Sequence, residues 1–505
     1  MVDVSESPDS LNRTGNSIQH LPVSMRTALI VLACFLSQSV QAQSFSALLD
    51  AVGSSDASQH ADLVSDFLGS TSVPHFENDT TVVFLWTGSA TSVIVTGDFT
   101  GWSGSGHALQ RLAATNLWYH SRHFEADARM DYKLIIGGSS WILDPRNPRT
   151  VPGGFGANSE LAMPQYVDAW EIEDDPSVAG GSMTTMTFAS SIMGTSRRIR
   201  VYTPAGYDAN RNEPYPVILY HDGSDYVNFA NIQNTLDNLI AAQRIVPVVA
   251  VFANPQNREA EYAVGNTANF TRMIVEELMP WVESNYHVST EASQRAVTGP
   301  SYAGLASARH CFEHPEEFGL CAPYSPSFWV SNGALLNTMS AGDLSNIKWY
   351  VEWGTYEGSI TTTGAIFENI LIEQGASYRV RVWNEGHSWG MWRAHQDDML
   401  EFFFPGVNAT SRSSLEQPAE SLQLDVYPNP SSAGTTIAFD TTAAGPVEVA
   451  VYDLLGRRVE TLIARTFPPG AHRTTWDAAI HASGTYLVHV MAGSISTSRV
   501  VAVIP

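Results

Sequence analysis

Hydrophobic and polar positions change rhythm several times along this chain, and each change marks a block. From about Phe45 to Ser72 the apolar residues Leu48, Leu49, Val52, Leu63, Val64, Phe67 and Leu68 fall at helical spacing, which predicts one or two short helices. Residues 81–86 and 92–95 then alternate or run apolar between the turn clusters Gly88-Ser89 and Gly97-Asp98, and residues 131–136 close the pattern before Gly137-Gly138. Short strands at this spacing predict a small β-sandwich. From Met183 to about Pro405 the pattern differs. Residues 198–202 alternate, but 216–220 and 246–252 are continuous apolar runs, as suits strands buried on both faces. Helical patterns at 234–243 and 270–286 lie between and after them, predicting a doubly wound, mainly parallel sheet. A Ser-rich stretch with Glu416, Pro418 and Glu420 reads as a linker. Strands at 447–452, 473–476 and 485–490 predict a second small sandwich.

At 505 residues the chain exceeds one ordinary core, and several domains are expected. The expected division is an extension with signal peptide (1–42), a helical lead-in (43–74), a β-sandwich (75–170), an α/β block (180–405), a linker (406–423) and a closing β-sandwich (424–505). A net charge of −24, with Lys133 and Lys348 as the only lysines, repels nucleic acid and anionic lipid, and is read as a solubility feature. Met25-Arg26, the apolar run from Ala28 to Leu36 and Ser39-Val40-Gln41-Ala42 read as a signal peptide cleaved after Ala42, with Met25 as an alternative start. That run is too short for a membrane span, and no transmembrane segment is expected in the mature chain. Cys34 falls within the signal. Cys311 and Cys321 are either one disulfide or two buried thiols, a matter of geometry that spacing leaves open. No zinc pattern occurs, and no metal or cofactor is expected.

The chemistry centres on Val297-Thr298-Gly299-Pro300-Ser301-Tyr302-Ala303-Gly304, where a β-branched run meets glycine, serine and small residues before a helical stretch. This is the pattern of a nucleophile elbow, a strand-to-helix turn that exposes a serine hydroxyl. That hydroxyl needs a base, and the base needs a third group to hold it. His387, in the loop after the strand at 378–383, is the candidate base. Glu357, just past the strand at 349–353, is the candidate acid, with Glu385 and Asp343 as rivals. The order Ser…Glu…His is the one α/β-hydrolases use. Backbone N–H groups of Tyr302 and Ser224 are the expected oxyanion donors. His221 and Asp222 are expected in the pocket wall, with Arg258 and Glu261 paired at its rim. Trp329, Trp389 and Trp392 are candidate acyl-pocket residues.

These motifs, together with residues 201–207, Tyr220-His221-Asp222-Gly223, Asn257-Arg258, Glu261-Tyr262, residues 276–281 and Trp392-Arg393, resemble the enterochelin-esterase and feruloyl-esterase group of α/β-hydrolases, with mycolyltransferases as more distant relatives. The resemblance implies a cofactor-free serine esterase with Ser301 as nucleophile, His387 as base and Glu357 as acid. It departs from the common pattern at Ala303, where many members carry glycine, and at Glu357, where many carry aspartate. Residues 93–102, with Leu117-Trp118, Tyr132-Lys133 and 144–148, resemble early-set Ig-like modules of the glycogen-binding type, in some of which tryptophans stack on sugars. Here Trp102, Trp118 and Trp141 read as packing residues. Tyr427-Pro428-Asn429-Pro430, residues 452–457 and 483–486 resemble the C-terminal sorting domain of the type IX secretion system. That resemblance implies the secretion machinery as a partner and a secreted or surface location. The expectation is a secreted carboxylic-ester hydrolase acting on siderophore-type, feruloyl- or acetyl-polysaccharide or simple esters. Two alternatives remain at this point: a non-catalytic polysaccharide-binding protein on a hydrolase fold, and an acyltransferase to a sugar acceptor.

Overall fold

The computed structural model describes residues 44–409, 422–441, 443–453, 457–492 and 495–504. The signal peptide, Cys34 and most of the linker lie outside the described residues.

Two helices lead the described chain, α1 (Phe45–Ser54) and α2 (His60–Ser70). Their apolar stripes, Phe45, Leu48 and Val52 on one and Val64 and Phe67 on the other, pack on Val83, Leu85 and Leu117. They thereby cover a sheet ordered β1 (His75–Asn78), β2 (Thr81–Thr87), β6 (Leu117–His123) and β5 (Gln110–Arg111). A second sheet runs β4 (His107–Ala108), β3 (Val93–Gly97), β7 (Arg129–Ile136), β10 (Asn158–Ala162) and β9 (Thr150–Val151), with β8 (Ser140–Ile142) beside β7. Val82, Phe84, Val93, Val95, Met130, Tyr132 and Leu134 from the two sheets share one core. We call this unit the β module. Trp118 lies in that core, while Trp141 is largely exposed. Trp102 is held by its indole N–H, which donates to Asp98 Oδ1 at 2.9 Å.

The central sheet has eight strands: β11 (Ser182–Ser190), β12 (Thr195–Thr203), β13 (Val217–His221), β14 (Val249–Ala253), β15 (Arg295–Pro300), β16 (Leu320–Tyr324), β17 (Lys348–Gly354) and β18 (Ser377–Trp383). Their order is 11-12-14-13-15-16-17-18. β11 and β12 pair antiparallel, β12 meets β14 antiparallel, and the rest are parallel. The helices are α3 (Gly223–Phe229), α4 (Ile232–Ala241), α5 (Arg258–Tyr262), α6 (Thr267–Arg272), α7 (Met279–Asn285), α8 (Tyr302–Glu313), α9 (Ala334–Ser340), α10 (Ser359–Glu373), α11 (Trp389–Ala394) and α12 (Gln396–Phe403). Two apolar clusters form the core of this block, so β13 to β16 are buried along their whole lengths. In open sheets of this kind the crevice beyond the carboxyl ends of the strands, where their order reverses, is the place for a site. Here the reversal falls at β13, from which β14 and β15 run to either side.

At the carboxyl end of the chain, strands β19 (Leu424–Tyr427), β20 (Gly434–Thr441) and β23 (Gly470–Asp477) form one sheet. β22 (Arg458–Phe467), β21 (Gly445–Asp453), β24 (Gly484–Ala492) and β25 (Ile495–Val503) form another. Ile437, Phe439, Val449, Trp476 and Val488 lie in their common core. Among the described residues no helix is long and apolar enough to cross a membrane. Cys311 and Cys321 are both buried free thiols, which is the second of the two readings left open by their spacing.

Candidate active site

Ser301 sits between the end of β15 and the start of α8 with φ 60° and ψ −119°, a conformation that L residues rarely hold. The turn is pinned from three sides. Ser301 N–H donates to Tyr324 O at 2.9 Å, while Leu305 N–H and Ser327 N–H donate to Ser301 O at 3.0 and 3.1 Å. Small residues are needed here because α8 presses on the neighbouring strand end. A Cβ at Gly304 would stand 2.8 Å from Tyr324 O. Tyr302 occupies the first position of α8, where a backbone N–H has no acceptor within the helix.

Glu357 and His387 come from the loops after β17 and β18. Glu357 Oε1 lies 2.8 Å from His387 Nδ1, and Oε2 accepts Gly354 N–H at 2.8 Å. The carboxylate is sealed from solvent while the imidazole is 36% exposed. A carboxylate on Nδ1 orients the ring and leaves Nε2 facing outward as the basic nitrogen. The imidazole also stands edge-on to Trp392 at 4.8 Å. Trp392 donates to Ser325 Oγ at 2.9 Å. Ser325 lies two residues from Ser327, whose Oγ is 3.3 Å from Ser301 Oγ. No hydrogen bond joins Ser301 to His387 among the described residues. Such contacts often close only around substrate.

The rival carboxylates are occupied elsewhere. Glu385 pairs with His395 Nε2 at 2.6 Å, and Asp343 holds a surface turn through Ser345.

Several expectations need correction. Ser224 N–H is taken by Asn254 Oδ1 at 2.8 Å, so it is not a free oxyanion donor in this structure. His221 is not a pocket wall: it is fully buried against Tyr262, Phe270 and His310. Arg258 and Glu261 do not pair. Arg258 reaches Asp222 Oδ2 through two nitrogens at 2.7 and 2.9 Å, donates to Pro300 O at 3.2 Å, and lies over the Tyr302 ring. It braces the elbow. Asp222 is correspondingly buried, and burial pushes its carboxyl up against the pull of that guanidinium. Glu261 is instead the buried partner of Arg197 at 2.8 Å. Trp389 packs among Tyr226, Phe229 and Trp392 and is core rather than an open wall. Trp329 remains beside the site, 36% exposed with its ring 6.0 Å from that of Tyr302. A separate cavity of about 380 Å³, between α9, α10 and the carboxyl-terminal strands, contains none of these residues.

Sequence reasoning missed Ser327 and Asn254. Both follow the carboxyl ends of central strands, β16 and β14, and that position was the available signal.

Burial of His221 holds its pKa down at about 3, far below the ordinary 6.5. The unfolded chain takes up this proton at about 6.5 and the folded chain does not, so acid favours unfolding between those values. His221→Phe should therefore gain stability relative to wild type as pH falls from about 6.5 towards 3, by up to about 1.4 kcal/mol per pH unit. Urea unfolding at pH 7 and pH 5 would check this; an equal loss in both proteins would count against it.

Residues 190–403 match the putative esterase family. Residues 425–503 match the secretion system C-terminal sorting domain, which marks a chain for export to the surface or beyond. Over 271 residues the chain is 25% identical to the iron(III) enterobactin esterase of Escherichia coli (strain K12), covering 47% of this chain and 66% of that protein, just under two thirds. It is 27% identical over 243 residues to an endo-1,4-beta-xylanase/feruloyl esterase of Xylanibacter ruminicola, covering 46% of this chain and 32% of that one. The enterobactin esterase of Shigella flexneri, solved in the presence of enterobactin, superposes with a TM-score of 0.57 at 23% identity. That match covers 65% of this chain and 94% of the solved one, and it shows a shared fold.

Proposed function

We propose that this protein is an exported serine carboxylic-ester hydrolase working through an acyl-enzyme. The observation that carries the proposal is the Glu357–His387 pair, at 2.8 Å in the loops after β17 and β18, at the same carboxyl edge of the parallel sheet as a serine held at φ 60° on the elbow after β15. In this reading Ser301 Oγ attacks the ester carbonyl and its proton passes to His387 Nε2. The oxyanion is met by Tyr302 N–H. The C–O bond to the alcohol breaks, and the leaving oxygen takes the proton from His387. Water, deprotonated by the same nitrogen, then attacks the Ser301 ester; the bond from the acyl carbon to Ser301 Oγ breaks, Oγ takes the proton back from His387, and the acid is released. Glu357 keeps Nδ1 protonated throughout and stabilises the imidazolium. No step requires a metal or redox cofactor.

Arg258, Asp222 and Trp329 frame the elbow, and the exposed indole of Trp329 is an apolar surface for an acyl group. The names of the relatives point to enterobactin and feruloyl esters as the substrates to try first, with acetyl and simple aryl esters beside them. The test is a panel of chromogenic and natural esters run with wild type and Ser301→Ala. Turnover by wild type and its loss in the variant is the expected result. Equal rates in both would remove the proposal.

A further inference from the structure

We propose that the β module is a working part of the active site, with Arg129 as a positioning residue that holds the His387 loop. This inference deepens the esterase reading above and rests on it for its catalytic consequence.

Arg129 opens β7 and is completely buried. Its backbone N–H donates to Asn384 O at 3.0 Å, and residues 129 and 385 form an isolated parallel bridge. One guanidinium nitrogen, Nη1, donates to Ser388 Oγ at 3.0 Å. Arg129 therefore grips the His387 loop on both sides of the histidine. The guanidinium is itself fixed by Glu160, through Nε at 2.7 Å, and by Asp131 at 2.8 Å. A charge held by two buried carboxylates is a rigid anchor, because any swing would leave charges unpaired away from water. The loop is shaped to receive it. Gly390 leaves room only for the guanidinium, and Gly386 lies directly against the Asp98 side chain, so neither position has space for a Cβ.

The grip extends to the acid. Tyr356, next to Glu357, donates its hydroxyl to Glu125 Oε2 at 2.6 Å and rests on Phe124. Asn384 Nδ2 donates to Asp127 Oδ1 at 2.8 Å. Within the catalytic block the two loops are laced together, since Tyr356 N–H donates to Glu385 O at 3.1 Å. Residues 124–129, the turn between β6 and β7 with the first residue of β7, thus contact both loops that bring Glu357 to His387. A sugar-binding module merely tethered to an enzyme would have no need of such contacts.

The test uses the full chain. Arg129→Met removes a buried cation from Asp131 and Glu160 and risks unfolding, so Ser388→Ala is the primary variant and Ser388→Thr its conservative rescue. Misplacing a catalytic group by a fraction of an ångström lowers kcat more than KM, and Ser388→Ala should reduce kcat on p-nitrophenyl acetate about tenfold while KM stays within about twofold. Ser388→Thr, which keeps a hydroxyl for Arg129, should recover most of that loss. Hydrogen exchange should quicken in the peptide spanning residues 384–388 of Ser388→Ala and remain unchanged across β13 to β16. This arm reads the clamp independently of turnover. A wild-type protein inactive on every ester would count against the esterase reading, while unchanged exchange and unchanged kcat in Ser388→Ala would overturn the clamp.

Discussion

Ser301→Ala is expected to lower kcat on p-nitrophenyl acetate by about 10⁵-fold while the protein stays folded, because removing a nucleophile that acts as a unit with its base erases nearly the whole contribution of that unit. Folding should survive. Among the described residues Ser301 Oγ makes one long hydrogen bond, at 3.3 Å to Ser327 Oγ, and the turn is held by backbone bonds that alanine keeps. Alanine also keeps the unfavourable φ of 60°, so stability should change little in either direction. The measurement is steady-state hydrolysis beside a thermal melt. Ser327→Ala is the informative companion. If Ser327 only orients the nucleophile, its loss costs far less than that of Ser301.

Glu357→Gln should lower kcat by about 10³- to 10⁴-fold with KM nearly unchanged, the effect of forcing the wrong imidazole tautomer in a triad whose geometry is intact. Glu357 spends Oε2 on Gly354 N–H and Oε1 on His387 Nδ1. A glutamine must keep its carbonyl oxygen on the Gly354 donor, which turns its amide N–H₂ toward Nδ1. His387 then places its proton on Nε2, and the nitrogen that should accept from Ser301 becomes a donor. Asp343→Asn, at an exposed turn bonded to Ser345, should leave kcat unchanged. Reversal of these two results would move the acid to another carboxylate.

How much of this was legible in the sequence depends on how local each feature is. The elbow at Ser301 is set by residues within three positions of it, so glycine and alanine in the right places sufficed to point to it. The position of Glu357 follows from strand ends in a parallel sheet, where loops at the carboxyl edge are brought to one side. The errors arise where partners come from elsewhere in the chain. Arg258 and Glu261 stand three apart, which suggests a pair on one helix. α5 is only five residues long, Asp222 in the turn after β13 claims Arg258, and Arg197 on β12 claims Glu261. His221 ends an apolar run and so was expected in the pocket wall. Its ring instead turns into an aromatic nest behind the elbow. The Arg129–Ser388 contact spans 259 positions, beyond the reach of any local pattern.

The most direct test of the central claim is the intact mass of the protein after treatment with a fluorophosphonate, followed by peptide mapping. A serine activated by the His387–Glu357 pair should take one phosphonyl adduct, on the peptide containing Ser301, and Glu357→Gln should slow its formation. A folded wild-type protein that takes no adduct, or takes it on another residue such as Ser327, would contradict the account.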